Sequence, residues 1–337
     1  MGTRSEEILR RERMEMTLPT LIDLFAATKE IEGKSPKTIK WYVNLLGHFA
    51  SYLGKTATLR HLTLNNARSF VAHLRGKERR YVGHPLSPEK KGGLSPHTIH
   101  AYVRSLKAFS SWLQEEGFTN QNVLGRLKRP KLPETVIEIL SDEEIDRILT
   151  AINPNCFLGA RLWVMVLLLL DTGIRAGELT GLTAENTHVD DGYVKVVGKG
   201  RKERIVPFGS TTKKALLRYL ATWRAEPAFP DVHELILSVN GTAMSYYGTA
   251  QCIKRLGKRA GVPRLHCHLF RHTFAVRYLM NGGDVMTLKL ILGHSTLEVT
   301  QMYLHLAEAH VRLQHHKFSP VDRLGIRTRR RRNRRRQ

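Results

Sequence analysis

The sequence predicts a mainly α-helical protein with one small antiparallel β-sheet, arranged in two domains. A helical pattern, SPKTIKWYVNLLGHFASYL at 35–53, recurs as SPHTIHAYVRSLKAFSSWL at 95–113. A single stretch, 193–207, alternates or is rich in β-branched residues, which is typical of strands. A segment rich in proline and lysine, 122–139, predicts an extended linker, and 337 residues are enough for two hydrophobic cores.

The repeated segments predict an N-terminal helical bundle over residues 18–121, preceded by a charged arm at 1–17. Each repeat begins with a serine suited to the N-cap position and a proline suited to the first helical position. A further helix is expected over 62–74, and a basic, glycine-containing loop over 76–93. In the first repeat the apolar residues form one helical stripe: Ile39, Tyr42, Val43, Leu46, Phe49 and Leu53.

The second domain is predicted over residues 140–318. Ser141 and Glu144 have the spacing of a capping box, which indicates the start of a helix. The longest apolar run of the chain follows at 162–170 and predicts a buried helix. That helix runs into the sequence DTGIRAGEL at 171–179.

The DTGIRAGEL sequence places an arginine at a helix start. Gly173 is expected to break the buried helix and to leave Arg175 at the beginning of the next one. Glu178 follows one turn later, where its carboxylate can hold the guanidinium. A structural Arg–Glu pair at the surface is the alternative, but the apolar surroundings favour a functional arginine.

Three short antiparallel strands are predicted after this arginine. DDG at 190–192 supplies a turn, YVKVV at 193–197 has strand character, GKGRKE forms a tight basic turn, and RIVP at 204–207 returns.

The stretch 268–303 concentrates side chains suited to phosphate chemistry. His268 and Arg271 are three residues apart, so on a helix they share one edge. Two glycines end that helix, and a short apolar segment then leads to His294. Tyr303 lies on a last helix, where it offers a hydroxyl nucleophile. Taken alone, Tyr303 is better explained by core filling, because its neighbours at helical spacing are apolar, but the accompanying motifs favour a nucleophile.

The charge of the chain predicts a polyanionic partner. The net charge is +24, which suits nucleic acid or an anionic membrane surface. The longest apolar run has nine residues, far short of the ~20 that a membrane span needs. A helix expected over 246–260 carries four basic residues suited to a phosphate backbone. The terminal segment 319–337 ends in a run with eight arginines between Arg327 and Arg336, and it is expected to be disordered without DNA.

The sequence predicts neither a cofactor nor a bound metal, and it contains no secretory signal. No phosphate-binding glycine loop and no carboxylate cluster for Mg²⁺ is apparent. The cluster His266, Cys267, His268 and His272 has the spacing of no zinc signature. The cysteines lack paired spacing, which suits a reducing cytoplasm: Cys156, Cys252 and Cys267.

The chain contains HLFRH at 268–272, then LGHS, and then Tyr303, nine residues after the histidine of LGHS. In this order and spacing, the motifs resemble the C-terminal signature of the tyrosine recombinases, the phage-integrase and Xer family. The resemblance implies an N-terminal core-binding bundle followed by a catalytic domain. It also implies six catalytic residues: Arg175, Lys199, His268, Arg271, His294 and Tyr303. Lys202 is the competitor of Lys199 for the role of the catalytic lysine.

By the same resemblance, the protein is expected to be a site-specific DNA recombinase or integrase. Tyr303 attacks phosphorus to form a 3′-phosphotyrosine intermediate, His268 takes its proton, and Lys199 protonates the leaving 5′ oxygen, without ATP or metal. The implied assembly is a homotetramer on two DNA duplexes in the cytoplasm, associated with the nucleoid, with possible accessory DNA-binding proteins. The alternatives are a non-catalytic architectural DNA-binding protein and a type IB topoisomerase-like enzyme.

Overall fold

The structure, a computed structural model, describes residues 12–80, 89–133, 137–198 and 202–293, together with positions 303, 315, 319 and 321. The chain divides into two compact units, Met1–Thr135 and Val136–Gln337. Each unit has its own hydrophobic core. Among the described residues, no helix has the length and the apolar character that a membrane crossing demands.

Unit 1 is a helical bundle, as the repeated pattern predicts. Its helices are α1 (Leu18–Ile31), α2 (Pro36–Leu53), α3 (Leu64–Arg75) and α4 (Pro96–Glu115). Each helix begins at a Ser or Thr N-cap whose hydroxyl accepts a backbone N–H of the first turn, which satisfies a donor that the helix leaves unpaired.

The core of unit 1 is aromatic and joins the two repeats. The Phe25 ring of α1 makes edge contacts with Tyr42 of α2 and with Trp112 of α4, at centroid distances of 5.4 Å. His48 and Tyr102, one from each repeat, form a hydrogen bond of 2.7 Å between the imidazole Nδ1 and the phenol oxygen. Two segments of similar sequence therefore pack against one another within one core.

Two expectations for unit 1 need correction. The loop predicted over 76–93 contains two short paired strands, β1 (Arg79–Arg80) and β2 (Lys90–Lys91), since its backbone groups pair with one another. The segment 122–139 is predicted to be an extended linker, but its first residues pack into unit 1. Leu124 and Leu127 are buried in the core of unit 1, because their side chains cover apolar surface that α4 presents.

Unit 2 holds α5 (Asp142–Thr150), α6 (Phe157–Thr172), α7 (Ala176–Thr180), α8 (Ser210–Arg218), α9 (Tyr246–Arg259), α10 (Cys267–Met280) and α11 (Val285–Leu292). The predicted antiparallel sheet is confirmed as β3 (Thr187–His188), β4 (Tyr193–Val197) and β5 (Glu203–Pro207), in that order. A π-helical turn, Tyr219–Trp223, follows α8. Helix α6 is buried along most of its length and packs against α10, which brings the two arginine-bearing regions together.

Candidate active site

Arg175 is placed by the abrupt end of α6. Gly173 caps that helix in the left-handed conformation, with φ of 61°, which a residue with a Cβ rarely adopts. Close packing adds a second constraint, because a Cβ on Gly173 would lie 2.4 Å from the ring of Phe274. The chain therefore turns sharply, and Arg175 becomes the N-cap residue of α7.

Glu178 fixes the guanidinium of Arg175, as the sequence spacing predicts. The Arg175 Nη1 donates to Glu178 Oε1 at 2.9 Å, and the Arg175 backbone N–H donates to Glu178 Oε2 at 2.8 Å. The Arg175 side chain remains 38 % exposed, whereas that of Glu178 is only 5 % exposed. The arginine is thus anchored at its base and open to a ligand.

A second arginine, Arg204 of β5, shares the same carboxylate. Its Nη1 and Nη2 donate to the two oxygens of Glu178, both at 2.8 Å, and its Nε donates to the backbone carbonyl of Ile291 at 2.7 Å. Burial raises the pKa of Glu178. The hydrogen bonds and charges of Arg204 and Arg175 outweigh that effect and hold the pKa at about 2. Glu178 is therefore ionised at neutral pH.

Arg271 is the deeply buried member of the group. It lies on α10 with 2 % of its surface exposed. Its Nη1 donates to the carbonyl of Gly173 at 2.8 Å, and its Nη2 donates to the carbonyl of Leu292 at 2.7 Å. Burial and the charge of Arg175 lower its pKa to about 10, so it stays positively charged at neutral pH.

A cavity of about 400 Å³ lies beside Arg175 and Glu178. His268, from the first turn of α10, lines it. Desolvation and the positive charge of Arg271 lower the pKa of His268, so its neutral form is favoured. The residues that line the cavity come from α7, β4, α9 and α10: Arg175, Ala176, Gly177, Glu178, Val197, Gly198, Tyr246, Ala250, His266, Cys267 and His268.

Tyr303 is buried, and its hydroxyl lies near α10. Its surface is 3 % exposed, and its ring belongs to an apolar cluster with Val276 and Leu292. The phenol oxygen lies 2.9 Å from Nδ1 of His272. Burial raises the pKa of Tyr303, and the charges of Arg271 and Arg175 act in the opposite direction. Tyr303 therefore fills the core and at the same time lies in the electrostatic field of both arginines.

The sequence patterns predict no functional role for Arg204 or His272. A weak signal existed for each of them. Arg204 lies two residues before the buried Val206, so both face the same side of β5. His272 lies four residues after His268, so both belong to one face of α10.

Lys199 and His294 lie outside the described residues, so their assignment stays a prediction. The residues that precede them are described. Gly198, at the end of β4, donates its N–H to the carbonyl of Lys202 at 2.8 Å. Gly293 ends α11 in the left-handed conformation, with φ of 63°, and a Cβ there would lie 3.0 Å from the guanidinium of Arg204.

The eight terminal arginines also lie outside the described part. Within that part, no three His, Cys, Asp or Glu side chains form a group able to hold a metal ion.

The fold, the fixed arginines and the buried tyrosine suit an enzyme that breaks and rejoins DNA strands through a tyrosine. The profile described as "Phage integrase family" matches residues 138–310. The chain belongs to the phage integrase family, which confirms the resemblance found in the sequence.

The curated relatives are Xer recombinases. Tyrosine recombinase XerC of Oceanobacillus iheyensis is 31 % identical over 311 residues, covering 90 % of this chain and 97 % of that protein. Tyrosine recombinase XerD of Listeria innocua is 29 % identical over 307 residues, covering 89 % of this chain and 98 % of that protein. These alignments extend through both units of the chain.

Solved structures share the fold at lower identity. The Tn1549 transposon integrase in complex with transposon right end DNA has a TM-score of 0.70 at 20 % identity, covering 92 % of this chain and 100 % of that one. The λ integrase dimer bound to a COC′ core site has a TM-score of 0.67 at 16 % identity, covering 90 % of this chain and 81 % of that one.

Proposed function

We propose that this protein is a site-specific DNA recombinase that cuts and rejoins duplex DNA through a bond between Tyr303 and a 3′ phosphate. The observation that carries the proposal is the meeting of three groups in unit 2. Arg271 and Tyr303 belong to packed elements of one core, and Arg175 opens into the adjoining cavity. A nucleophile, fixed cations and space for a phosphate are thereby combined.

The arginines suit the electrostatics of phosphoryl transfer. Negative charge increases on the non-bridging phosphate oxygens in the transition state, and fixed cations directed at them lower the barrier. Guanidinium groups are suited to this task because they offer several donors in a planar fork. Glu178 and Arg204 orient Arg175 before any ligand arrives, so little reorganisation is needed when the phosphate binds.

The bond changes follow from this arrangement. The phenol oxygen of Tyr303 attacks phosphorus, the phosphotyrosine bond forms, and the bond to the 5′ oxygen breaks. By the family resemblance, Lys199 gives a proton to that oxygen, His268 receives the proton of the phenol, and His294 contacts the phosphate. Attack by a 5′-hydroxyl reverses the steps and joins the strand. Because the phosphotyrosine bond retains the energy of the phosphodiester, no ATP is consumed.

The proposed partner is double-stranded DNA. The λ integrase and Tn1549 integrase structures contain DNA, and XerH, with a TM-score of 0.64 at 20 % identity, is bound to a palindromic difH substrate after cleavage. The net charge of +24 suits such a partner. We further propose that the bundle 18–121 and the catalytic domain 140–318 both bind the duplex. In this proposal four copies act on two duplexes, and accessory DNA-binding proteins take part.

Tyr303→Phe tests the proposal, because it removes the attacking oxygen and leaves the basic surfaces unchanged. A nicked suicide duplex carrying the recombination site should trap the wild-type protein as a DNA adduct stable to SDS. Tyr303→Phe should bind the duplex with unchanged affinity and form no adduct.

Tyr246→Phe is the matched comparison. Tyr246 lines the cavity and is 59 % exposed, so it is the rival nucleophile on grounds of access. It should still form the adduct. An adduct that survives Tyr303→Phe but disappears with Tyr246→Phe would overturn the assignment. Absence of any adduct with the wild-type protein, despite specific binding, would favour an architectural role instead.

A further inference from the structure

The hydroxyl of the proposed nucleophile is bound by His272, the last residue of the HLFRH motif, to which the family resemblance assigns no catalytic role. His272 Nδ1 lies 2.9 Å from the Tyr303 oxygen, within hydrogen-bond distance. The two rings are 5.7 Å apart between centroids. His272 follows Arg271 directly on α10, so one helical turn supplies both a phosphate-binding cation and a contact to the attacking oxygen.

His268 and His272 occupy different places. His268 lines the cavity together with Arg175, where a phosphate is expected to bind. His272 is half-buried and its ring is close to those of both His268 and Tyr303, with its centroid 5.4 Å from that of His268. The position of His268 suits a hydrogen bond to phosphate, whereas the position of His272 suits a contact with the nucleophile.

We propose that His272, rather than His268, takes the proton of Tyr303 when the phenol oxygen attacks phosphorus. The inference rests on the proposed function. In the required tautomer Nε2 carries the ring proton and Nδ1 accepts from the phenol. As the O–P bond forms, the phenol proton moves to Nδ1 and gives an imidazolium. The bond to the 5′ oxygen breaks, and that oxygen takes a proton from the general acid. On rejoining, the imidazolium returns the proton to the departing phenol oxygen.

The surroundings of His272 support this role. Desolvation, followed by electrostatic interactions with His268, His266 and Arg271, lowers its pKa to about 4, so the ring is neutral and able to accept at pH 7. A bound phosphate brings negative charge next to Arg271 and opposes that field. Phosphate binding therefore raises the pKa of His272 towards the operating pH, where a general base is most effective.

His272→Asn separates proton transfer from positioning. The Asn carbonyl oxygen can occupy roughly the place of Nδ1 and accept a hydrogen bond, but it cannot take up a proton. The rate of adduct formation in a single turnover at saturating protein should fall by about 10²-fold or more, within the range typical of general bases. Duplex affinity and melting temperature should stay close to those of the wild type.

His48→Asn is the matched control, because it alters another His–Tyr hydrogen bond, in which Nδ1 lies 2.7 Å from the Tyr102 oxygen. Its cleavage rate should equal that of the wild type. The decisive comparison introduces 3,5-difluorotyrosine at position 303. Its phenol is more acidic and depends less on a base. The fall in the rate of adduct formation caused by His272→Asn should therefore be at least tenfold smaller than with tyrosine at position 303.

An equal loss with tyrosine and with difluorotyrosine would overturn the proposal and leave His272 a purely positioning role. A wild-type rate for His272→Asn would also overturn it. If His272→Asn fails to fold, the 1,2,4-triazole analogue of histidine at position 272 keeps the ring shape with lower basicity, and it should slow adduct formation. These outcomes differ from failure of the proposed function, in which the wild-type protein itself forms no adduct.

Discussion

Replacing Glu178 with glutamine removes the charge that two arginines share. The carboxylate is 5 % exposed, and Arg175 and Arg204 donate to it at 2.8–2.9 Å. Burial opposes ionisation, but the arginines hold the pKa at about 2, against an ordinary value of 4.5. At ~1.4 kcal/mol per pH unit, this difference stabilises the folded state by about 3 kcal/mol at pH 7. This value agrees with the loss of folding stability, typically about 3–5 kcal/mol, that follows removal of one partner of a buried ion pair.

The stabilisation has a defined pH dependence, because the pKa is lower in the folded state than in the unfolded state. It is complete above about pH 4.5 and is lost as the pH falls towards 2. At pH 3.5 about 2 kcal/mol should remain. Glutamine carries no charge at any pH. The cost of Glu178→Gln should therefore fall from about 3 kcal/mol at pH 7 to about 2 kcal/mol at pH 3.5.

Urea unfolding followed by tryptophan fluorescence measures this cost, since Trp163 and Trp223 lie in unit 2. Glu203→Gln is the matched control, one residue from Arg204. The Glu203 side chain is 54 % exposed and pairs with Lys195 at 2.6 Å, so its loss should cost at most about 1 kcal/mol. The reasoning is refuted if the two substitutions cost the same, or if the cost of Glu178→Gln does not change with pH.

Three further predictions concern DNA. Arg175→Ala and Arg271→Ala should each slow single-turnover cleavage by ~10²–10³-fold with little change in duplex affinity. Equal losses in cleavage rate and in affinity would show that these arginines are ordinary contacts to the DNA backbone. Lys199→Ala should slow cleavage of a normal phosphodiester but recover on a 5′-bridging phosphorothiolate, because a thiolate leaves without a proton; no recovery would point to Lys202. Truncation after Ile326 should reduce the magnitude of the slope of log K against log salt concentration by roughly three to four, if about half of the tail arginines bind phosphate. The reduction should be equal on specific and random duplexes. A truncated protein with the original salt slope but slow cleavage would instead indicate that the tail controls the active site.

Local chemistry accounts for what the sequence predicted well. Ser35 and Ser95 cap their helices because the hydroxyl and the backbone donor are only three residues apart. The contact between Arg175 and Glu178 also spans three residues, and the β4–β5 hairpin is closed by its own turn. In each case the interacting groups are neighbours along the chain, so the sequence pattern contains the interaction.

The contacts that sequence reasoning missed are distant along the chain. Arg204 reaches Glu178 across 26 residues, and His272 reaches Tyr303 across 31. No periodicity records such pairs, since they depend on which faces of separate elements meet after folding. The burial of Leu124 was missed for the same reason, because the apolar surface that it covers belongs to α4 and is not apparent from the proline- and lysine-rich composition around it.

Backbone carbonyls orient Arg271 and help to orient Arg204, and this arrangement preserves the positive charge of the site. Arg271 donates to the carbonyls of Gly173 and Leu292, and Arg204 donates to that of Ile291, at the ends of α6 and α11. Carbonyls at helix C-termini carry partial negative charge and attract cations without neutralising them. Arg175 and Arg204 share the carboxylate of Glu178. Together with Arg271, these side chains keep two net positive charges. Had a carboxylate oriented each arginine, the cluster would be neutral and would offer a phosphate little attraction. In the proposed reaction, the sharp ends of α6 and α11 at left-handed glycines direct these carbonyls at the guanidinium groups and leave the positive field for a phosphate.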